Sequence, residues 1–221
     1  MNPFDPSVEE LPRELPIFPL RGVLLLPQGR LPLNVFEPRY LNLMRDALGG
    51  SRMLGIVQLS DAGLGDGESA GDEAPIFEVG CAARVVSFQE SDDGRLLITL
   101  KGLCRFGVAT ELPLFDGYRR VRPDFTPYTA DLMSDADAEI DRPRLLGALS
   151  LYLQNHGIDA DRNAIEDAPA DRLVTTLAMV CPFEADEKQA LLESADTESR
   201  AKLMIGLFEM AAADDVAAAR H

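Results

Sequence analysis

Ser199 and Lys202 are one helical turn apart, a spacing at which a serine can act as a nucleophile and a lysine as its base. Such a pair acts in catalysis only when the lysine is desolvated and an oxyanion hole lies beside the serine. Here Ser199 follows the good N-cap residue Asp196 by three positions, and Lys202 precedes an apolar stripe on the side expected to face water. We therefore predict capping and surface roles for the pair, and no catalytic residues.

The histidines and cysteines do not combine into a metal site. His221 is the last residue, and His156 lies in Asn-His-Gly, a sequence that is typical of a helix end and predicts a structural or neutral role. The cysteines lack C-x-x-C spacing and stand in apolar contexts, so we predict small buried side chains. They are Cys81, Cys104 and Cys181.

Two further segments match a ligand-binding motif only in part. The acidic run 135–141 resembles a calcium loop, but Ile140 replaces the glycine needed at its sixth position and Leu146 the glutamate needed at its twelfth. Residues 65–70 match G-x-G-x-x-A, although acidic side chains follow and no helix is expected. There is no P-loop motif. The sequence therefore predicts neither a metal nor a cofactor.

The net charge of −16 restricts the possible partners. It is divided unevenly, with −5 over residues 1–128 and −11 over residues 129–221. A surface this acidic repels phosphate backbones and anionic membranes, so we predict neither nucleic-acid nor membrane binding. The N-terminus lacks the features of a signal peptide, and the unpaired cysteines suit a reducing compartment. We expect a cytoplasmic protein; its oligomeric state is not predicted.

Residues 15–122 are predicted to be mainly β. Alternating apolar residues over 95–101 predict a half-buried strand, and Asp93-Gly94 before it predicts a two-residue hairpin turn with positive φ at both positions. Other predicted strands are 52–59, 77–88, 104–108 and 118–122. One helix interrupts them, entered at Pro38 and stopped by Gly49-Gly50. The acidic, glycine-rich residues 60–75 predict a mobile surface loop.

The remainder is predicted to be helical. Apolar residues recur at helical spacing in three stripes that indicate a small bundle, packed on itself or onto the sheet. The stripes are Leu145, Leu146, Leu149, Tyr152 and Leu153; Leu173, Val174, Leu177 and Ala178; and Leu203, Met204, Leu207 and Phe208, with a shorter helix over 188–193. The predicted organisation is an N-terminal extension 1–14, a β-rich subdomain 15–122, a connection 123–141 and a helical subdomain 142–221.

A series of motifs resembles the N-terminal, substrate-recognition domain of Lon protease. In chain order they are Pro16–Leu20 with Leu24–Pro27, Leu31–Tyr40, Ile56-Val57, Val79–Arg84, Gly102–Phe106 and Pro182–Leu192. They cover nearly the whole chain in the order of the family. The resemblance implies an α+β fold, in which a β-rich PUA-like pseudo-barrel with one inserted helix is followed by an α-helical bundle.

The resemblance also implies a function. Full-length Lon proteins continue into an ATPase module and a serine–lysine protease, and the absence of a P-loop here predicts a stand-alone bacterial domain that is not an enzyme, although such proteins carry a peptidase family label. The implied role is non-catalytic binding of polypeptide substrates or a partner protein, with the chain acting as an adaptor in protein quality control. The alternatives are a small-ligand-binding PUA-like domain and a peptidase acting alone.

Glu37, Arg39 and Tyr40 are the candidate partner-binding residues. They are polar or amphipathic side chains at the start of the predicted helix, beside the motif that identifies the family. The competing interpretation is that Glu37 and Arg39 only tie a strand end to the barrel.

Overall fold

Two compact units divide the chain, Met1–Ser134 and Asp135–His221. A computed structural model describes residues 5–60, 74–133, 138–155 and 167–218, with side chains to residue 213. The first unit holds the β-strands and one α-helix, and the second is helical. The fold is thus α+β, which confirms the predicted class.

The strands of the first unit form a ring. They are β1 Leu15–Leu20, β2 Arg30–Val35, β3 Met53–Gln58, β4 Val79–Glu90, β5 Leu96–Phe115 and β6 Tyr118–Asp124. Their order is β2-β5-β4-β3-β1-β6, and an additional β5–β6 pairing closes the circuit. The β1–β3 pair is parallel and the others are antiparallel. The ring is not a regular barrel, because register shifts interrupt the pairings of β5 and because β2 joins from outside.

The strand β5 corrects the sequence prediction. Separate strands were expected over 95–101 and 104–108, but one strand runs from Leu96 to Phe115. Its first half pairs with β2 and β4, and its second half pairs with β6. A register shift at Leu103 lies between the two expected segments, so the strand is irregular there and continues rather than ends.

The turns also differ from the prediction. At Asp93-Gly94 only the glycine has a positive φ, 81°, and the amide of Ser91 donates to the carbonyl of Arg95 at 3.0 Å, so three residues form the loop. The two-residue turn lies instead at Asp116-Gly117, where φ is 46° and 84° between β5 and β6. Positive φ at both central residues is what a type I′ hairpin requires.

The inserted helix α1 spans Pro38–Gly49, as predicted. Pro38 occupies its first turn, where no backbone donor is lost. Its buried side chains recur at helical spacing, and they are Tyr40, Leu43, Met44 and Ala47. The ring itself is filled by side chains that include Leu15, Ile17, Phe106 and Val121, all fully buried. A short 3-10 helix, Thr126–Leu132, follows β6.

The second unit contains helices α2 Arg142–Asn155, α3 Ala170–Val180, α4 Ala185–Glu193 and α5 Thr197–Ala218. Tyr152, Phe183 and Phe208 form its aromatic centre, with ring centroids 4.9 to 6.2 Å apart. The predicted stripe of α5 is partly wrong, since Leu203 and Leu207 are only half-buried. The buried face is Ala201, Met204, Ile205, Phe208 and Ala212. Within the described residues, no helix combines the length and hydrophobicity needed to cross a membrane.

Candidate functional site

The link between β2 and α1 brings the three predicted site residues together. Glu37 immediately precedes α1, and its carboxylate accepts hydrogen bonds from Arg39, 3.1 Å from Nε and 3.0 Å from Nη2. The side chains of Glu37 and Arg39 retain 44% and 31% of their exposure. A partner could therefore reach this ion pair, and its role in binding stays a prediction.

Tyr40 is placed differently. It is 7% exposed, and its ring stacks on that of Phe18 with centroids 3.9 Å apart. The Arg39 guanidinium lies over the same ring, 4.7 Å from its centroid. Little of the ring is therefore open to a partner, and Tyr40 orients Arg39 from within the core.

The strand β2 has one fully solvent-facing side. Its side chains alternate, so that Leu31, Leu33 and Val35 turn toward the protein and the intervening residues are exposed. The exposed set continues one residue past the strand and comprises Arg30, Pro32, Asn34 and Phe36. Among the described strands β2 pairs only with β5, so its other edge is open.

Exposed apolar side chains adjoin this edge. Phe36 is 60% exposed, and Leu97, opposite Asn34 on β5, is 47% exposed. The Arg95 guanidinium lies 5.7 Å from the Phe36 ring centroid. Sequence reasoning missed Phe36 and Leu97 as surface residues. The polar–apolar alternation from Arg30 to Phe36 would have identified Phe36, and the alternation over 95–101 places Leu97 on the side of Arg95, Thr99 and Lys101, opposite the buried residues.

Cationic side chains line the same face at the other end of β2. Arg30, Lys101 and Arg84 are in register across β2, β5 and β4. The ammonium of Lys101 contacts both carboxylate oxygens of Asp5, at 2.7 and 2.8 Å. The acidic N-terminal segment of the chain therefore already lies against this row of cations.

Glu10 is a second acidic residue of the N-terminal segment that is attracted to this row of cations. Hydrogen bonds from Ser7 lower the pKa of the Glu10 carboxyl, and Arg84 lowers it further by charge attraction. Neither Arg30 nor Arg84 forms a salt bridge with any residue that the structure describes. Arg30 is the more exposed of the two and lies on the edge strand, so it remains available for an acidic ligand.

The Ser199–Lys202 spacing does not form a nucleophile–base pair. The Ser199 amide donates to the Asp196 carboxylate at 2.7 Å, which caps α5 as expected. The Lys202 ammonium pairs with Glu198 at 2.6 Å on the surface, and that contact raises the pKa of Lys202. A general base needs its pKa lowered, so this environment acts in the opposite direction.

The cysteines lie where they were predicted. Cys81, Cys104 and Cys181 are buried and unlinked. Burial raises the pKa of all three thiols, to about 12 for Cys104 and about 11 for Cys181. Within the described segments, no cluster of three or more potential metal ligands occurs. His156, His221, residues 61–73 of the predicted loop with the 65–70 motif, and residues 135–137 of the acidic run lie outside the described residues.

The family comparison matches most of the chain. The model for the ATP-dependent protease La (LON) substrate-binding domain covers residues 14–209. Lon protease 2 of Myxococcus xanthus is 29% identical over 214 residues, which cover 90% of this chain and 24% of that protein. Lon protease of Haemophilus influenzae is 25% identical over 200 residues, with shares of 89% and 24%. The chain spans about a quarter of the length of these curated relatives.

Solved structures show the same fold. The Lon N-terminal domain protein from Xanthomonas campestris superposes with a TM-score of 0.62 at 24% identity, covering 87% of this chain and 97% of its own. The N-terminal domain of Mycobacterium avium complex Lon protease gives 0.59 at 15% identity, with shares of 89% and 98%. At these identities the likeness concerns the fold alone.

Proposed function

The chain belongs to the substrate-binding domain family of the ATP-dependent protease La (Lon), and from this membership we propose that it binds polypeptide segments without cleaving them. The observation that supports the proposal is the exposed Phe36 at the end of the open edge of β2, with the exposed Leu97 on the neighbouring strand β5. Exposed apolar groups next to an unpaired strand edge suit extended, non-native chains, which present both apolar side chains and free backbone groups.

The expected affinity is modest. Burial of one phenylalanine side chain contributes about 2 kcal/mol, and only a few such anchors are available on this face. Ordering a flexible polypeptide opposes that gain. Binding in the micromolar range, with rapid release, is therefore the physical expectation, and it suits a protein that delivers substrates rather than storing them.

Glu37, Arg39 and Tyr40 retain a role in this proposal. The Glu37–Arg39 ion pair lies directly beyond Phe36 along the chain, so a segment that covers Phe36 would reach it. Tyr40 holds Arg39 in place from its buried position against Phe18. We assign contact with the partner to Glu37 and Arg39, and positioning to Tyr40.

A non-enzymatic adaptor role follows from the same chemistry. The raised pKa of Lys202 and the capping contact of Ser199 give no activated nucleophile at the one spacing that suggested one. An adaptor presents its bound polypeptide to a separate protease. We place the protein in the cytoplasm, because three buried cysteines without a disulfide suit a reducing compartment. Fractionation of cells with an antibody to the chain tests that location.

The binding proposal is tested by fluorescence anisotropy with labelled α-lactalbumin. The native protein is compared with its reduced, carboxyamidomethylated, unfolded form, because both are acidic and nonspecific attraction to this acidic chain is avoided. We expect a dissociation constant of about 10 µM for the unfolded form and no binding of the native form. Equal binding of both forms, or of neither, contradicts the proposal.

A pair of variants locates the site. Phe36→Ser should weaken binding of the unfolded form about tenfold, because an apolar anchor is lost. Val180→Ser is the matched control, since Val180 is 75% exposed but belongs to the helical unit. Similar losses for both variants would show that binding follows general surface hydrophobicity and not the β2 face.

A further inference from the structure

We propose that β2 takes up its polypeptide as an added strand, and that the segment it prefers carries an apolar and an acidic residue six positions apart. This inference rests on the proposed polypeptide binding and narrows it to a backbone register and a side-chain pattern. Its components are the open edge of β2, Phe36 at one end of that edge and Arg30 at the other.

Pro32 determines which backbone groups of β2 face β5 and which face the open edge. Pro32 lies opposite Thr99 on β5, and it has no N–H to exchange in a hydrogen-bonded pair. The ladder bonds to β5 must therefore come from the alternate residues, Leu31, Leu33 and Val35. The N–H groups of Arg30 and Asn34, and the carbonyls of Arg30, Pro32 and Asn34, point to the open edge.

That arrangement provides backbone partners for one extended chain. Two donors and three acceptors lie along the edge, in the order of any unpaired strand edge except for the donor missing at Pro32. The missing donor at Pro32 weakens the edge without closing it, which suits transient pairing better than permanent pairing.

The exposed side chains of this edge determine the sequence pattern of the segment that it prefers. Arg30 and Phe36 are six residues apart, an even number, so both lie on the solvent-facing side of β2 about 20 Å from one another. Residues of an added strand that lie beside them must also be six apart and on that side. One of them meets the exposed Phe36 ring, and the other meets the Arg30 guanidinium.

Charge complementarity indicates that the residue of the added strand that meets Arg30 is acidic. Arg30, Lys101 and Arg84 form one cationic row across three strands. The carboxylate of Asp5 already forms an ion pair with Lys101. The chain thus holds an acidic group of its own against the neighbouring position of the same row. An aspartate or glutamate in an added strand would reach Arg30 in the same manner.

A second copy of the chain fits this edge poorly. Two β2 strands paired antiparallel about Pro32 would place Arg30 opposite Asn34 and would leave both central donors missing. Each copy also carries a net charge of −16. The preferred occupant is therefore a separate extended polypeptide.

The test uses the full chain and fluorescein-labelled peptides of about 12 residues, the length of a long strand, in a serine–threonine–glutamine background. One peptide has phenylalanine and glutamate six positions apart, and its control has them five apart, which places them on opposite faces. We expect the six-spaced peptide to bind at least fivefold more tightly. Equal affinities would overturn the inference.

Charge reversal tests the same contact independently. Arg30→Glu should weaken the glutamate peptide about fivefold to tenfold, and a peptide with lysine in place of the glutamate should restore the affinity. Arg122→Glu is the matched control, because Arg122 is an exposed arginine on β6. Equal losses for both variants, or no rescue by the lysine peptide, would overturn the inference.

The outcomes separate the two proposals. If unfolded α-lactalbumin binds while peptide spacing and Arg30→Glu have no effect, the strand-addition inference is wrong and the polypeptide-binding proposal stands. If neither α-lactalbumin nor any peptide binds, both are wrong. A concentration-dependent dimer that Arg30→Glu abolishes, without peptide binding, would assign the edge to a second copy and would also overturn the inference.

Discussion

Asp131 accepts three hydrogen bonds from Arg105, one from its backbone amide at 2.9 Å and two from its guanidinium at 2.8 Å each. The two side chains are only 6% and 10% exposed. The pair anchors the 3-10 helix Thr126–Leu132 to β5, and the Arg105 guanidinium also lies over the Tyr128 ring, 4.9 Å from its centroid. The segment after β6 is therefore fixed by a buried charge pair as well as by apolar packing.

The first prediction concerns this buried pair. Asp131→Ala leaves the Arg105 guanidinium buried without its counter-charge, so the free energy of unfolding should fall by about 3 to 5 kcal/mol. The measurement is urea denaturation followed by circular dichroism. Glu209→Ala is the control, because the Arg144–Glu209 pair is exposed, and solvent screening leaves such a pair little effect on stability. Similar losses for both variants would contradict the distinction.

The second prediction concerns the close approach of Gly102 to the loop after β1. Gly102 exchanges backbone hydrogen bonds with Gln28 and Gly29, both 2.9 Å, and a Cβ at this position would collide with the Leu26 carbonyl oxygen. Gly102→Ala should therefore destabilise the protein by more than about 2 kcal/mol, since backbone must move.

Gly206→Ala provides the opposite control. Gly206 lies within α5, and a Cβ there meets nothing within 4 Å. This substitution should raise the free energy of unfolding by about 0.5 to 1 kcal/mol, because alanine favours a helix over glycine. Thermal denaturation of both variants tests the pair, and a harmless Gly102→Ala would show that β5 is free to shift.

The third prediction concerns the contact between β6 and α1. The Tyr118 hydroxyl donates to the Asp46 carboxylate at 2.7 Å, and burial together with this hydrogen bond raises the pKa of Tyr118. A raised pKa means that the neutral form stabilises the fold. That stability is complete below the unfolded tyrosine pKa of about 10 and is lost as pH rises above it.

Tyr118→Phe isolates this effect. The variant should lose about 1 kcal/mol of stability near neutral pH, which is the usual contribution of such a hydrogen bond. Its stability should then fall less steeply than that of the parent chain between pH 9 and pH 11. Parallel pH profiles from urea denaturation would show that Tyr118 does not titrate with unfolding.

The fourth prediction concerns the thiols. Since thiolate is the reactive form and burial raises the pKa of Cys181 to about 11, its reaction with a disulfide reagent at pH 8 should be about 100-fold slower than that of a free thiol. Cys81 and Cys104 should react slowly as well. Ser199→Cys supplies an exposed positive control, and prompt labelling of the parent chain would contradict the buried placement.

Most of the fold could be predicted from local sequence patterns. The helix α1 followed from Pro38 and its apolar spacing, and the buried face of α3 was predicted in full, because each depends on residues within one turn of one another. The Asp116-Gly117 turn had the sequence of a type I′ hairpin as clearly as Asp93-Gly94 did. Of these two Asp-Gly pairs, only Asp116-Gly117 adopts that geometry, in the hairpin between β5 and β6.

Non-local packing accounts for the errors. Nothing near Gly102 or Gly107 indicates that β5 continues past them, because its length is set by β2, β4 and β6 together. The buried face of α5 includes Ile205, since the neighbouring helices determine which side is covered. Tyr40 was a reasonable surface candidate from its position at a helix start, and only the stacking on Phe18 shows that it is buried.

The most direct measurement is residue-resolved amide hydrogen exchange of the full chain, with and without unfolded α-lactalbumin. Strand addition predicts that the amides of Arg30 and Asn34 become protected on binding, because they point to the open edge. The amides of Leu31, Leu33 and Val35 should be protected already and should change little. Binding that leaves Arg30 and Asn34 exchanging as fast as before would contradict the assignment of β2 as the polypeptide site.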